Sequence, residues 1–210
     1  GLASGGCSRF KEIQAVIGQS ALEVAEYAVS GTDNIQRSVG ISVLTAAAHK
    51  MDIPDDKSRF PFGLDLTSAD RVAMVGYIEP VAKEIKGAVK ELAVFDKGMP
   101  PEKAPAGFMP TERQSQVLPS SDVVLITGTA MINNSIDQLV SLCTSAREVV
   151  IVGPSTPMYP QGFRESPVTR LAGSFWPKDK KKEIFRSISL AGGINPIVGY
   201  MQKKVMKVHP

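Results

Sequence analysis

The sequence predicts an α/β fold: a Rossmann-like parallel sheet with helices on both faces, preceded by a small, mainly helical domain. Three observations carry this. Short apolar runs recur from residue 71 onward, at Arg71 to Val75, Asp122 to Ile126 and Glu148 to Val152. The runs are continuous rather than alternating, the pattern of strands buried on both faces. Helical patterns fall between them, and strands separated by helices assemble into parallel sheets.

The elements follow in order. Residues 1 to 10 are rich in glycine and serine and read as a loop or a frayed strand. A first helix is expected from Gly18 to Val29, with Ser20 and Glu23 at capping-box spacing. The run from Ser30 to Asn34 breaks it. A second helix, Ile35 to His49, is dense in alanine and serine, which permit close approach to a partner. Phe60-Pro61-Phe62-Gly63 reads as a packed link, and the division is placed there: residues 1–62 as a mostly helical unit, 63–210 as the sheet domain. After the strand Arg71–Val75, a helix is expected from Pro80 to Lys86, since proline is tolerated in a first turn. Val89 to Phe95 is the next strand. Asp122–Ile126 leads to a helix from Asn134 to Cys143. Glu148–Val152 leads to a weaker strand, Val168 to Ala172, and a last helix from Lys180 to Leu190. Residues 97 to 120 carry five prolines. A segment that long and irregular within a domain is usually functional or mobile.

Composition narrows the function. At 210 residues with 43% hydrophobic and 21% charged residues, the chain can bury an ordinary core. A net charge of +3 is too mild to argue for nucleic acid. The lysines cluster at Lys178, Lys180, Lys181 and Lys182, read as a helix start, and at Lys203, Lys204 and Lys207, read as a basic tail. Cys143 falls in a helical apolar pattern and reads as a buried hydrophobe, whereas Cys7 reads as an exposed thiol. Two distant cysteines form no disulfide framework, so a reducing, cytoplasmic setting is expected. No apolar run approaches the ~20 residues a membrane span needs. The expected partner is therefore a small molecule or metal chelate, with no nucleic acid and no membrane; a homo-oligomer is left open.

In open parallel sheets, ligands sit outside the carboxyl ends of the strands. Three loops occupy that edge. In the first, Gly128 permits a tight turn while Thr129, Asn133, Asn134 and Ser135 supply neutral donors and acceptors beside a helix start; an ordinary turn capped by Asn133 or Asn134 is the simpler reading. In the second, two prolines stiffen the loop of Gly153, Ser155 and Thr156. In the third, Gly76, Tyr77 and Glu79 take the place of a glycine-rich dinucleotide turn, although the full glycine fingerprint is missing. Asp96 follows Gly76 by 20 residues, where such folds place a ribose-binding acid. The candidate metal-facing groups are Glu79, Asp96 and His49. His49 ends the second helix, where a cationic imidazole would suit the dipole. No zinc motif, P-loop or nucleophile elbow is present, and no catalytic residue is assigned.

Four strings now carry a resemblance: Val72 to Tyr77 (VAMVGY), Asp122 to Ser135 (DVVLITGTAMINNS), Val152 to Met158 (VGPSTPM) and Leu171 to Phe175 (LAGSF). In this order they resemble a family named for heavy-metal chelation, whose function is not known and which pairs an enolase-N-terminal-like domain with a Rossmann-like one. Gly1-Leu2-Ala3 and Ser38 to Ile41 resemble later segments of the first domain. The resemblance implies a site in an interdomain cleft, with the loops at Gly76–Glu79, Gly128–Ser135 and Gly153–Thr156 on one wall and the helix bearing Thr45 and His49 on the other. The expected function is handling of a metal ion, a divalent cation included, or of a metal-chelating molecule. The alternatives are an enzyme using S-adenosylmethionine or a dinucleotide, with Asp96 on a ribose, and a non-catalytic interaction protein that docks through residues 97–120.

Overall fold

A computed structural model describes residues 13–58 and 60–209. The apolar runs become strands because both their faces are covered. β1 (Arg71–Val75), β2 (Glu91–Phe95), β3 (Val123–Thr127) and β4 (Glu148–Val152) each bury four of five residues. With β5 (Arg170–Phe175) and β6 (Gln202–Lys207) they form one sheet in the order β2-β1-β3-β4-β5-β6. The first four pairings are parallel; β5 and β6 are antiparallel.

Alternate residues feed two cores. Ala73, Val75, Phe95, Val124 and Ile126 pack on one side with Leu139 and Val140 of α7 (Ile136–Ser141). Val72, Met74, Val94 and Leu125 pack on the other with Ala82 and Ile85 of α4 (Glu79–Ile85). Each such buried Val, Leu, Ile, Phe or Met side chain contributes about 1.5–3 kcal/mol. Cys143 belongs to the first core; its thiol donates to the Leu139 carbonyl, and burial pushes its pKa up to about 11. Cys7 lies outside the described residues, as do Gly1 to Ala3.

Ahead of the sheet come α1 (Ala21–Ala25), α2 (Tyr27–Ser30) and α3 (Asn34–Ala48). The expected capping box forms: the Glu23 N–H donates to Ser20 Oγ and the Ser20 N–H to Glu23 Oε2. The single helix expected over 18–29 is two pieces that meet at Glu26. The small residues of α3 have a clear use. A Cβ on Gly40 would lie 2.1 Å from the Ala28 nitrogen, so α2 and α3 touch backbone to backbone.

Three expectations need correction. The lysines at 203, 204 and 207 are not a tail. They belong to β6, whose Val205 and Met206 pack against opposite cores; Lys203 and Lys207 are exposed, while Lys204 is drawn in to the Ile53 carbonyl and Asp55. The helix expected over 134–143 is the shorter α7, and an unexpected helix, α6 (Thr129–Ile132), precedes it across Asn134 at φ 59°. Asparagine tolerates that left-handed turn because its side chain can bond locally. The weak strand over 168–172 is displaced C-terminally to become β5. The last helix is α8 (Lys181–Ser189), within the span expected.

The proline-rich segment is docked rather than loose. Phe108 bridges Val94 of β2, the Met109 N–H donates to the Val94 carbonyl, and Leu118 is fully buried. Gly107, at φ 88°, passes so close to β2 that a Cβ would lie 2.1 Å from the Leu92 carbonyl oxygen. The segment thereby covers the outer edge of β2 and continues into α5 (Gln114–Val117).

Candidate functional site

The strand order reverses at β1, with β2 on one side and β3 on the other. The crevice between their carboxyl ends is the usual ligand position in such sheets. Here it holds a cavity of about 480 Å³. Gly76 and Asp96 floor it beside Phe95 and Thr127; Thr129, Asn133, Ser135 and Gln138 form one side. Asn34 of α3 and Thr111 and Gln114 of the proline-rich segment complete the rim, with Lys97 and Gly98.

Gly76 is dictated by geometry. At φ 88° it tucks under β3, and a Cβ would lie 2.6 Å from the Thr127 Cβ. Asp96 ties two loops together: Oδ2 accepts from the Tyr77 N–H at 2.9 Å and Oδ1 from the Gly98 N–H at 2.8 Å. Thr127 and Thr129 share a hydroxyl–hydroxyl bond of 2.8 Å. Asn133 Oδ1 accepts from both the N–H and the hydroxyl of Ser135, at 3.2 and 2.6 Å. Asn133 therefore holds the turn into α7 in place of the cap expected of it; the residue in the N-cap position is Ser135, which makes no side-chain cap bond.

The remaining expected residues act otherwise. Gly128 shapes the wall without lining it: a Cβ there would lie 2.8 Å from the Ser155 carbonyl carbon, so the loops after β3 and β4 meet at its expense. Glu79 is exposed and paired with Lys83 at 2.7 Å, a solvated i,i+4 ion pair on α4. Asn134 serves as the left-handed turn. Gly153 donates to the Ala172 carbonyl, tying the β4 loop to β5, and Thr156 is buried with its hydroxyl unpartnered among the described residues. Among the described residues, no group of three or more His, Cys, Asp or Glu side chains is gathered to hold a metal ion. Glu79, Asp96 and His49 form no such set.

His49 lies in a second cavity, about 390 Å³, over the ends of β4 and β5. Its ring stacks on Phe175 with centroids 4.0 Å apart and planes 16° from parallel. Burial first, then the charges of Lys178 and Lys204, hold its pKa below the ordinary histidine value. Its place at the end of α3 is the one expected, while its burial and positive surroundings favour the neutral ring. Thr45 and Ser42 of α3 share this cavity with Pro154, Ser174, Trp176 and Lys178. α3 spans the two, with Asn34 at the crevice and His49 at the second cavity. Arg37 fastens it between them, donating from Nε to the Ile132 carbonyl of α6 at 2.6 Å.

Sequence reasoning missed Asn34, Lys97, Gly98, Gln138, Ser174 and Trp176. The proline-rich segment had been flagged as a whole, and Thr111 and Gln114 are what it brings to the rim.

With this arrangement in view, a family model matches residues 60–207, more than half of the chain; its description is "Putative heavy-metal chelation". The chain belongs to the DUF364 family. It is 24% identical to an uncharacterized protein of Methanocaldococcus jannaschii over 145 residues, 68% of this chain but 55% of that protein, so it spans about half the length of this relative. Two solved structures share the fold, both titled as DUF364-family proteins of unknown function. The one from Pyrococcus horikoshii has a TM-score of 0.75 at 21% identity, covering 90% of this chain and 75% of its own. The one from Desulfitobacterium hafniense DCB-2 has a TM-score of 0.74 at 19% identity, covering 92% and 76%.

Proposed function

We propose that the β1–β3 crevice binds a small polar molecule that chelates a metal, and that the metal travels as cargo on that molecule. The supporting observation is the lining. Its uncharged hydroxyls and amides, from Thr127, Thr129, Asn133, Gln114 and Gln138, match a ligand rich in hydroxyl, amide or carboxyl oxygens. Asp96 and Lys97 balance each other in charge. The donor set is the wrong chemistry for a bare heavy-metal ion, which favours thiolate, imidazole or carboxylate ligands. The family description supplies the metal, and a chelator reconciles it with the lining. In this reading residues 63–210 are the Rossmann-like unit and residues 1–62 its helical, enolase-N-terminal-like companion, whose α3 closes the cleft.

The placement of Asp96 beside Gly76 favours a second reading, a nucleotide-type cofactor with its ribose at that carboxylate. One thermal-shift panel separates the two: zinc and iron(III) ions alone, citrate and hydroxamate chelators with and without metal, S-adenosylmethionine and a dinucleotide. A ligand at about 100 times its Kd adds about 2.7 kcal/mol. At about 2–4 °C per kcal/mol this is a rise of about 5–10 °C. The expected result is that rise with a loaded chelator, none with either ion alone, and its loss in Asn133→Ala. A rise with nucleotide alone transfers the crevice to the cofactor reading; a rise with a bare ion alone overturns both.

A further inference from the structure

The second cavity lies outside that proposal, and its chemistry differs. Lys178 is exposed at the mouth and has no carboxylate partner among the described residues, and no acidic residue lines the cavity. The hydroxyls of α3 have already spent their protons: Ser42 donates to the Ser38 carbonyl at 2.7 Å and Thr45 to the Ser42 carbonyl at 2.9 Å. The Lys178 ammonium, the Ser174 hydroxyl and the Trp176 indole N–H remain to donate. His49, held flat against Phe175, adds a ring N–H. Lys204 contributes to the same positive surroundings although it is bound to the Ile53 carbonyl and Asp55. The rest of the wall is apolar: Ala46, Pro154 and the indole itself. The hollow has a volume near 390 Å³ and is open to solvent.

We infer that this cavity, where Trp176, Pro154 and Ala46 face Lys178 and His49, is a second binding site for a small aromatic carboxylate. The flat body of the ligand covers the apolar wall, and its carboxylate takes the Lys178 ammonium. An inorganic anion would leave the apolar wall wet, and a neutral aromatic would leave Lys178 unmatched.

Trp176 is the only tryptophan in the chain, so its fluorescence reports this cavity alone. Benzoate is titrated against the full chain at neutral pH, with benzamide as the neutral isostere and inorganic phosphate as the anion without a ring. The expected result is a saturable change in Trp176 emission with benzoate. Hydrogen bonds to charged groups contribute about 1.5–3 kcal/mol, so affinity falls about tenfold or more with benzamide, and equally in Lys178→Ala. Asn133→Ala, at the crevice, leaves the benzoate titration unchanged, so this proposal and the chelator reading fail separately. No saturable change with benzoate overturns the inference. So does equal binding of benzamide, full affinity in Lys178→Ala, or displacement of benzoate by phosphate at comparable concentration.

Discussion

The β1–β3 crevice and the cavity over β4 and β5 open at the same edge of one sheet and share one helix as a wall, yet they offer opposite chemistry. The crevice holds one acid and one base, Asp96 and Lys97, beside uncharged amides and hydroxyls. The cavity has a lysine with no acid, an indole and a proline. Strand ends fix where a ligand can sit, and the loop after each strand decides which ligand. The loops following β1, β2 and β3 bring glycine, aspartate and asparagine. The segments following β4 and β5 bring Pro154, Trp176 and Lys178. α3 keeps the two apart, and its attachment is local: Arg37 bonds Ile132, Gly31 and Asn34 through three nitrogens.

That attachment is the first place to break the comparison. Arg37→Ala removes three hydrogen bonds from a charged donor and strands two carbonyls. It should cost about 2–3 kcal/mol in denaturant unfolding and disturb ligand binding at both positions. Asp96→Asn should separate them. The amide replaces one of the two accepting oxygens with an NH2 donor, so about 1–2 kcal/mol is lost and the crevice loosens, while a benzoate titration followed at Trp176 is unaltered. The smallest effect is at His49. Its depressed pKa means that the folded chain favours the neutral ring. The unfolded chain binds more protons in that range, so the contribution is present above about pH 6.5 and is lost as pH falls through the folded value. An NMR titration should place the His49 midpoint below the ordinary value. Lys178→Ala should raise it, leaving burial and Lys204, itself paired with Asp55, as the remaining causes.

Much of the fold was legible because burial writes itself into sequence. The strands β1 and β4 were found residue for residue, since four consecutive apolar side chains leave little else to do. β6 was missed because an edge strand is half solvated: Lys203, Lys204 and Lys207 outnumber Val205 and Met206, and the run looks like a tail. Asn134 is read from sequence as a ligand contact or a cap, because asparagine serves both as well as left-handed turns, and only the break between α6 and α7 shows the turn. Gly76, Asp96, Thr129, Asn133 and Ser135 were legible as crevice residues because they follow strand ends. Asn34, Gln138 and Gln114 were not, because they arrive from helices whose packing no local pattern specifies. His49 illustrates the limit most clearly. Its place at a helix end was readable, but the lysines that surround it come from positions 178 and 204.

The antiparallel strand at the end of the sheet also bears on how the molecule is made. Lys204 Nζ reaches the Ile53 carbonyl across 151 positions of sequence, and the Asp56 N–H donates to the Lys203 carbonyl. Contacts so distant along the chain close late, because the loop entropy must be met before they return anything. On a ribosome, the link that follows α3 has no partner strand until residues 203–204 have emerged. That link is therefore fixed last, and a nascent chain halted before β6 would carry the parallel strands with β5 left open as a sticky edge for chaperones to cover.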